Sequence, residues 1–229
     1  MKIKIPKLPK NSKILSFLET IGINKKILYS KNKKILAPNI KKLFFLYKLI
    51  ILNKRLTALE FGSGWSTLVL GLSFYENLKK LNRKKNLPKK ENRFEIFSLD
   101  QSKKFLDISK KRFGLIKKKK AKVNWVYSPV KMREFDSRIC TEYNILPLCN
   151  PDFIYLDGPG LFEIKNTINN FSSAHKDLVP MSCDILKIEF YLIPGTILLV
   201  DGRKANVEFL IKNFKRKWIY KYLKEIDQH

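Results

Sequence analysis

Apolar and polar positions change rhythm several times along the chain. Between residues 11 and 53 the apolar side chains recur at helical spacing. Asn11 and Ser12 can cap a first segment running through Leu18, and Pro38-Asn39 opens a second from Ile40 to Leu52. A strand-length apolar run follows, Leu56-Thr57-Ala58-Leu59-Glu60-Phe61, interrupted by a single acid. Gly62 and Gly64 come next at alternate positions, and from Trp65 to about Lys80 the pattern is that of a buried helix. Residues 94–99 are a strand ending at Asp100, residues 102–117 a helix and residues 121–127 a third strand. A fourth strand, 152–156, runs into Asp157-Gly158-Pro159, and a fifth, 196–200, into Asp201-Gly202-Arg203. Residues 205–214 are helical again, and 218–223 read as a sixth strand. Strands interleaved with helices predict an α/β fold: a doubly wound, mostly parallel sheet with helices on both faces, preceded by an N-terminal helical extension.

Length and composition narrow this picture. The 229 residues suffice for one sizeable domain with a short appendage, divided here into an extension over 1–53 and a main domain over 54–229. A very basic stretch over about 79–93, containing Pro88, reads as an exposed insertion in the main domain. Cys140, Cys149 and Cys183 lack CxxC spacing and the chain has only two histidines, which argues against structural zinc. Free thiols of this kind suit a reducing compartment, making the cytoplasm the expected location. The basic residues 1–10 lead into no apolar signal core, and the most hydrophobic stretch, 43–52, is far short of a membrane span. That stretch is either a basic amphipathic helix lying on a membrane surface or a helix packed against the first strand, and the second explains the same residues.

Forty-seven Lys and Arg against 20 Asp and Glu give a formal charge of +27. One reading is a polyanionic partner such as nucleic acid, anionic lipid or a phosphorylated sugar. The other is compositional drift, since the lysines are spread along the whole chain and arginine, the better bidentate phosphate ligand, is scarce beside them.

Candidate chemistry gathers at the strand ends. A strand that turns through glycines into a helix offers backbone N–H groups and a helix N-terminus to a ligand. An acid stands at the end of four of the strands: Glu60, Asp100, Asp157 and Asp201. Each alone is explained as a turn or helix cap. In a doubly wound sheet all four would open on one rim, where such folds bind ligands.

These pieces, in this order, resemble the class I S-adenosylmethionine-dependent methyltransferases over residues 56–222. Glu60-Phe61-Gly62-Ser63-Gly64, with Ser66-Thr67, resembles the family's first motif, and Asp100 stands where it has the acid after its second strand. Residues 152–159 and Pro194-Gly195 before the fifth strand are similar to small-molecule O-methyltransferase-like members. The resemblance implies a Rossmann-like methyltransferase fold and S-adenosylmethionine as cofactor. Gly62 and Gly64 would pass close to its methionine part, with Glu60 orienting that end and Ser66 beside it. Asp100 would take the ribose hydroxyls, Gln101 would lie against the adenine, and Ser128 near the ring edge. Asp157 would sit beside the transferred methyl group, and Asp157, Asp201 and His175 are the candidate bases. Some relatives bind a divalent metal through carboxylates after the fourth and fifth strands. Gly202 stands where that group often has a further acid, which argues against a metal here. The implied acceptor is a hydroxyl or amine of a small, sugar-like molecule.

Several residues keep two readings. Trp65 either shapes the pocket or is a core aromatic. Arg203 either binds an anionic substrate group or pairs with an acid such as Glu189 or Asp184. Glu60 and Asp100 are forty positions apart, against roughly 20 in dinucleotide folds. The third glycine position of a nicotinamide dehydrogenase is Thr67, which disfavours that class. A nucleic-acid methyltransferase fits the charge, but the fourth strand lacks the Asn/Asp-Pro-Pro-Tyr motif of many base-modifying members. A degenerate, non-catalytic member is a third reading. The family's antiparallel seventh strand is either missing or reduced to a stub over 224–229.

Overall fold

The computed structural model describes residues 3–28, 37–82, 87, 89–160, 162 and 164–229. Parts of the predicted N-terminal extension and of the predicted basic insertion, including Pro88, lie outside the described residues.

The N-terminal region forms α1 (Asn11–Thr20), α2 (Lys25–Leu28) and α3 (Ile40–Leu52). Asn39 caps α3 as its sequence position predicts, its Oδ1 accepting from the N–H groups of Lys41 at 3.0 Å and Lys42 at 3.3 Å. Asn11 and Ser12 do not cap α1. The helix already starts at Asn11, because the Lys10 carbonyl accepts from the N–H groups of Lys13 and Ile14.

Then come β1 (Thr57–Phe61), α4 (Trp65–Leu81), β2 (Glu95–Asp100), α5 (Lys103–Leu115) and β3 (Lys122–Tyr127). A hairpin of β4 (Val130–Phe135) and β5 (Arg138–Tyr143) follows, in a region without predicted structure. The chain continues through β6 (Phe153–Leu156), the short α6 (Asp184–Ile188), β7 (Ile197–Val200) and α7 (Lys204–Asn213).

Five strands make one parallel sheet in the order β3-β2-β1-β6-β7. The order reverses between β1 and β6, so a crevice opens at their carboxyl ends. Strand alternation divides the core in two. Ala58, Ile96, Phe153, Tyr155, Ile197 and Leu199 face α1, α3 and α4, in one cluster that joins the N-terminal helices to the sheet. Leu59, Phe61, Leu99, Ile154, Leu156 and Val200 face α6, α7 and the hairpin. The second face is thus covered partly by strands, where the sequence predicts helices alone.

Residues 218–223 do not form the predicted sixth strand. Their approach to the sheet is fixed by the buried Glu189 carboxylate, which accepts from Lys215 N–H, Arg216 N–H and Trp218 Nε1, each at 2.9 Å. Trp218 also stacks on Phe214 with ring centroids 4.7 Å apart. The edge of β7 pairs instead with the last residues. Val200 and His229 exchange both backbone hydrogen bonds, at 2.9 and 3.0 Å, and Gln228 bridges Asp201 antiparallel. This is the stub considered above for 224–229. Among the described residues no helix is long and apolar enough to cross a membrane.

Candidate active site

The turn from β1 into α4 is the floor of the crevice. Gly62 has φ +91°, a conformation that favours glycine, and a Cβ there would stand 3.0 Å from the Asp157 carbonyl carbon and the Gly158 nitrogen. The first turn is therefore pressed directly against the turn after β6. The N–H groups of Gly62, Ser63 and Gly64 are engaged within the chain. Gly62 donates to Leu99 O at 2.8 Å, Ser63 to Asp100 Oδ2 at 2.8 Å, and Gly64 to Thr67 Oγ1 at 3.0 Å. These three N–H groups are therefore not free for a ligand, unlike the open glycine cradle expected from sequence.

Thr67 relays its hydroxyl to Glu60. Register places Glu60 opposite Ser98 on β2 and Tyr155 on β6. Glu60 Oε2 accepts from Thr67 Oγ1 at 2.6 Å and from Ser98 Oγ at 2.5 Å. Its other oxygen, Oε1, is buried and has no partner among the described residues. Burial pushes the Glu60 carboxyl up to about 7, against the opposing pull of its hydroxyl donors. A buried carboxyl oxygen without a donor is costly unless something else supplies one.

The remaining acids occupy the same rim. Asp100 is buried; Oδ2 takes the Ser63 hydroxyl at 2.9 Å as well as its N–H, and Oδ1 takes Ser102 N–H at 2.8 Å. Burial raises its pKa despite these bonds. Asp201 pairs with Lys42 from α3 and accepts from Tyr155 Oη at 3.0 Å. Asp157 is less engaged. Arg203 lies 3.9 Å from its Oδ1 and spends two stronger bonds on the turn itself, to Asp157 O at 2.7 Å and Pro159 O at 2.9 Å. Neither Glu189 nor Asp184 is the partner of Arg203, because both carboxylates are used to hold the backbone. The Asp157 side chain keeps 47% of its accessible surface because it lines a cavity, yet protein surrounds it closely. This desolvation, then the neighbouring Asp201, push its carboxyl up to about 7.

That cavity measures about 400 Å³. α3 contributes Lys42, Leu43 and Leu46, and the glycine turn contributes Ser63, Gly64, Trp65 and Ser66. One face of α5, and Tyr155, Asp157 and Asp201, complete it. Among the described residues no group of three or more His, Cys, Asp and Glu side chains is placed to hold a metal ion.

Glu60, Gly62, Gly64, Ser66, Asp100, Asp157 and Asp201 thus come together at one end of the sheet. Gln101 is one shell out, its Oε1 accepting from Tyr143 Oη at 3.2 Å. Ser128 is fully buried, and its Oγ accepts Ile145 N–H at 2.8 Å. His175 is outside the cavity, on an exposed loop where its Nδ1 accepts Asp177 N–H at 3.2 Å. Sequence reasoning missed Lys42, Tyr155 and Arg112. Lys42 and Arg112 are two cations in a chain with 47, and Tyr155 reads as core.

No protein-family model matches this chain, and no curated protein is similar to it. Solved structures do resemble it. One is the methyltransferase PaMTH1 of Podospora anserina with S-adenosylhomocysteine (SAH) bound. It is 16% identical, with 88% of this chain and 75% of that one covered and a TM-score of 0.40. Another is an O-methyltransferase from Bacillus cereus in complex with SAH, 18% identical, with 91% and 74% covered and a TM-score of 0.33.

Proposed function

We propose that this chain is an S-adenosylmethionine-dependent methyltransferase acting on a hydroxyl or amine of a small acceptor. The observation that carries this reading is the electrostatics of the first turn. The N–H groups of Gly62, Ser63 and Gly64 are used internally, Thr67 Oγ1 links Gly64 N–H to the buried Glu60 with its orphaned Oε1, and Asp157 and Asp201 line the space in front, each beside a cation. Such a turn offers a pyrophosphate no N–H group of its own, while Glu60 Oε1 is an acceptor in want of a donor, which disfavours a dinucleotide and favours a ligand carrying an ammonium group, as S-adenosylmethionine does.

The residues present fit that cofactor. The orphaned Glu60 Oε1 offers an acceptor beside the turn, directly or through water. Gly64 leaves open space, since a Cβ there would meet nothing closer than Ser66 Oγ at 3.8 Å. Asp100 retains acceptor capacity on Oδ1 for a ribose hydroxyl. Gln101 and Ser128 belong to the wall behind it. A cavity of about 400 Å³ is of small-ligand size, which supports a small acceptor over a nucleic acid.

S-adenosylmethionine, when bound, supplies an already activated methyl group. The protein's part is alignment and proton removal. Lys42 and Tyr155 occupy Asp201, which leaves Asp157 as the base for the acceptor proton. A carboxyl titrating at about 7 is well matched to that task near neutral pH. The test is transfer of radiolabelled methyl into a panel of small hydroxyl and amine acceptors. Asp157→Asn is expected to slow turnover about a hundredfold or more. An active wild type unaffected by this change would remove Asp157 from the reaction.

A further inference from the structure

Phe105, Ile108, Ser109 and Arg112 recur at helical spacing and turn one face of α5 into the cavity. Arg112 is only 8% exposed, yet its guanidinium makes no hydrogen bond or ion pair among the described residues. Its guanidinium carbon lies 4.2 Å from the Trp65 ring centroid. The Trp65 Nε1 donor is itself buried and without a partner among the described residues. Burial lowers the Arg112 pKa, and no carboxylate opposes that effect. A desolvated guanidinium without a counter-ion is expensive, and stacking on an aromatic face recovers only part of the cost. The two carboxylates lining the same cavity already have cations, Lys42 on Asp201 and Arg203 near Asp157.

The cavity is therefore polarised, with a planar array of unpaired donors on one wall and carboxylates on another. We propose that Arg112 and Trp65 form an anion-binding subsite for the acceptor, which carries a carboxylate or phosphate group in addition to the hydroxyl or amine that is methylated. Arginine's fork of donors fits both oxyanions. Ser109, buried on the same wall, adds a hydroxyl to the subsite. The inference rests on the methyltransferase reading for what the ligand is, but not for its charge.

The experiment is calorimetric titration of SAH-saturated protein with 4-hydroxybenzoate, phenyl phosphate and the neutral 4-hydroxybenzamide. It is run on the wild type, Arg112→Gln and the milder Trp65→Phe, each checked for folding by thermal unfolding. The proposal expects one or both anions to bind at least about tenfold tighter than the amide, a preference lost in Arg112→Gln and reduced in Trp65→Phe. Equal affinity for anion and amide, or a preference that survives Arg112→Gln, overturns it. Titration with SAH and with 5′-methylthioadenosine, which lacks the amino-acid carboxylate, separates the other source of an oxyanion. If Arg112→Gln weakens SAH alone, Arg112 holds the cofactor's carboxylate and the acceptor assignment is overturned. Anion preference lost in Arg112→Gln in a protein that binds no SAH would keep the anion site and overturn the methyltransferase reading instead.

Discussion

Two carboxyls, Glu60 and Asp184, are fully buried and are each pushed up to about 7, chiefly by that burial. Raised folded-state values mean that between pH about 4 and 7 the folded chain binds more protons than the unfolded one. Their contribution is thus fully favourable at low pH and is lost as pH rises through about 7. Asp184 is the clearest probe, because its oxygens serve Tyr143 N–H at 3.0 Å and Ser182 Oγ at 2.7 Å, away from the cavity. Asp184→Asn is expected to flatten the decline in melting temperature between pH 5 and 8 without changing catalysis; an unchanged slope would contradict the assignment. Activity runs the opposite way. If Asp157 is the base, kcat/KM rises with pH through about 7, and Asp157→Asn removes that limb from the pH–rate profile. At this scale Glu60, Asp100, Asp157 and Asp201 were legible in sequence because each stands at the end of a strand. Lys42 and Arg112 were not: α3 also carries Lys41 and Lys48 and α5 four lysines, and only the packing of the two helices singles out one cation on each.

Two elements test the fold's dependence on single residues. Gly62→Ala puts a Cβ 3.0 Å from the Asp157 and Gly158 backbone at φ +91°, and is expected to cost about 1–3 kcal/mol in denaturant unfolding. Glu189→Ala strips three donors of their acceptor and is expected to cost about 3 kcal/mol, with Trp218 fluorescence reporting release of the residues beyond α7. A loss near zero would mean that Trp218 stacking alone holds that segment. The parallel strands were readable as short apolar runs, four of the five ending in or followed by an acid. The β4–β5 hairpin was not. Its turn residues Asp136 and Ser137 adopt φ +48° and +59°, a role normally signalled by glycine or asparagine. α6, with five residues, is too short to show a period. Residues 218–223 carry strand-like aromatics, but the β7 edge is already occupied by the chain's last residues.

At the scale of the whole molecule, the N-terminal helices are one wall of the site. α3 shares its core with the sheet and sends Lys42 to Asp201, so cavity and core depend on the same packing. The +27 charge is carried mainly by lysines distributed over the chain, while the cavity sets Asp157 and Asp201 against Lys42 and Arg112. The central claim concerns the ligand bound in front of the glycine turn. Calorimetric titration with SAH and, in parallel, with NAD tests it most directly, on the wild type and on Gly64→Val. A Cβ at Gly64 meets nothing closer than Ser66 Oγ at 3.8 Å, so a side chain there extends into the ligand space. The account predicts SAH binding at one site per chain, no NAD binding, and at least tenfold weaker SAH in Gly64→Val. A folded protein that binds NAD, or binds neither ligand, would contradict it.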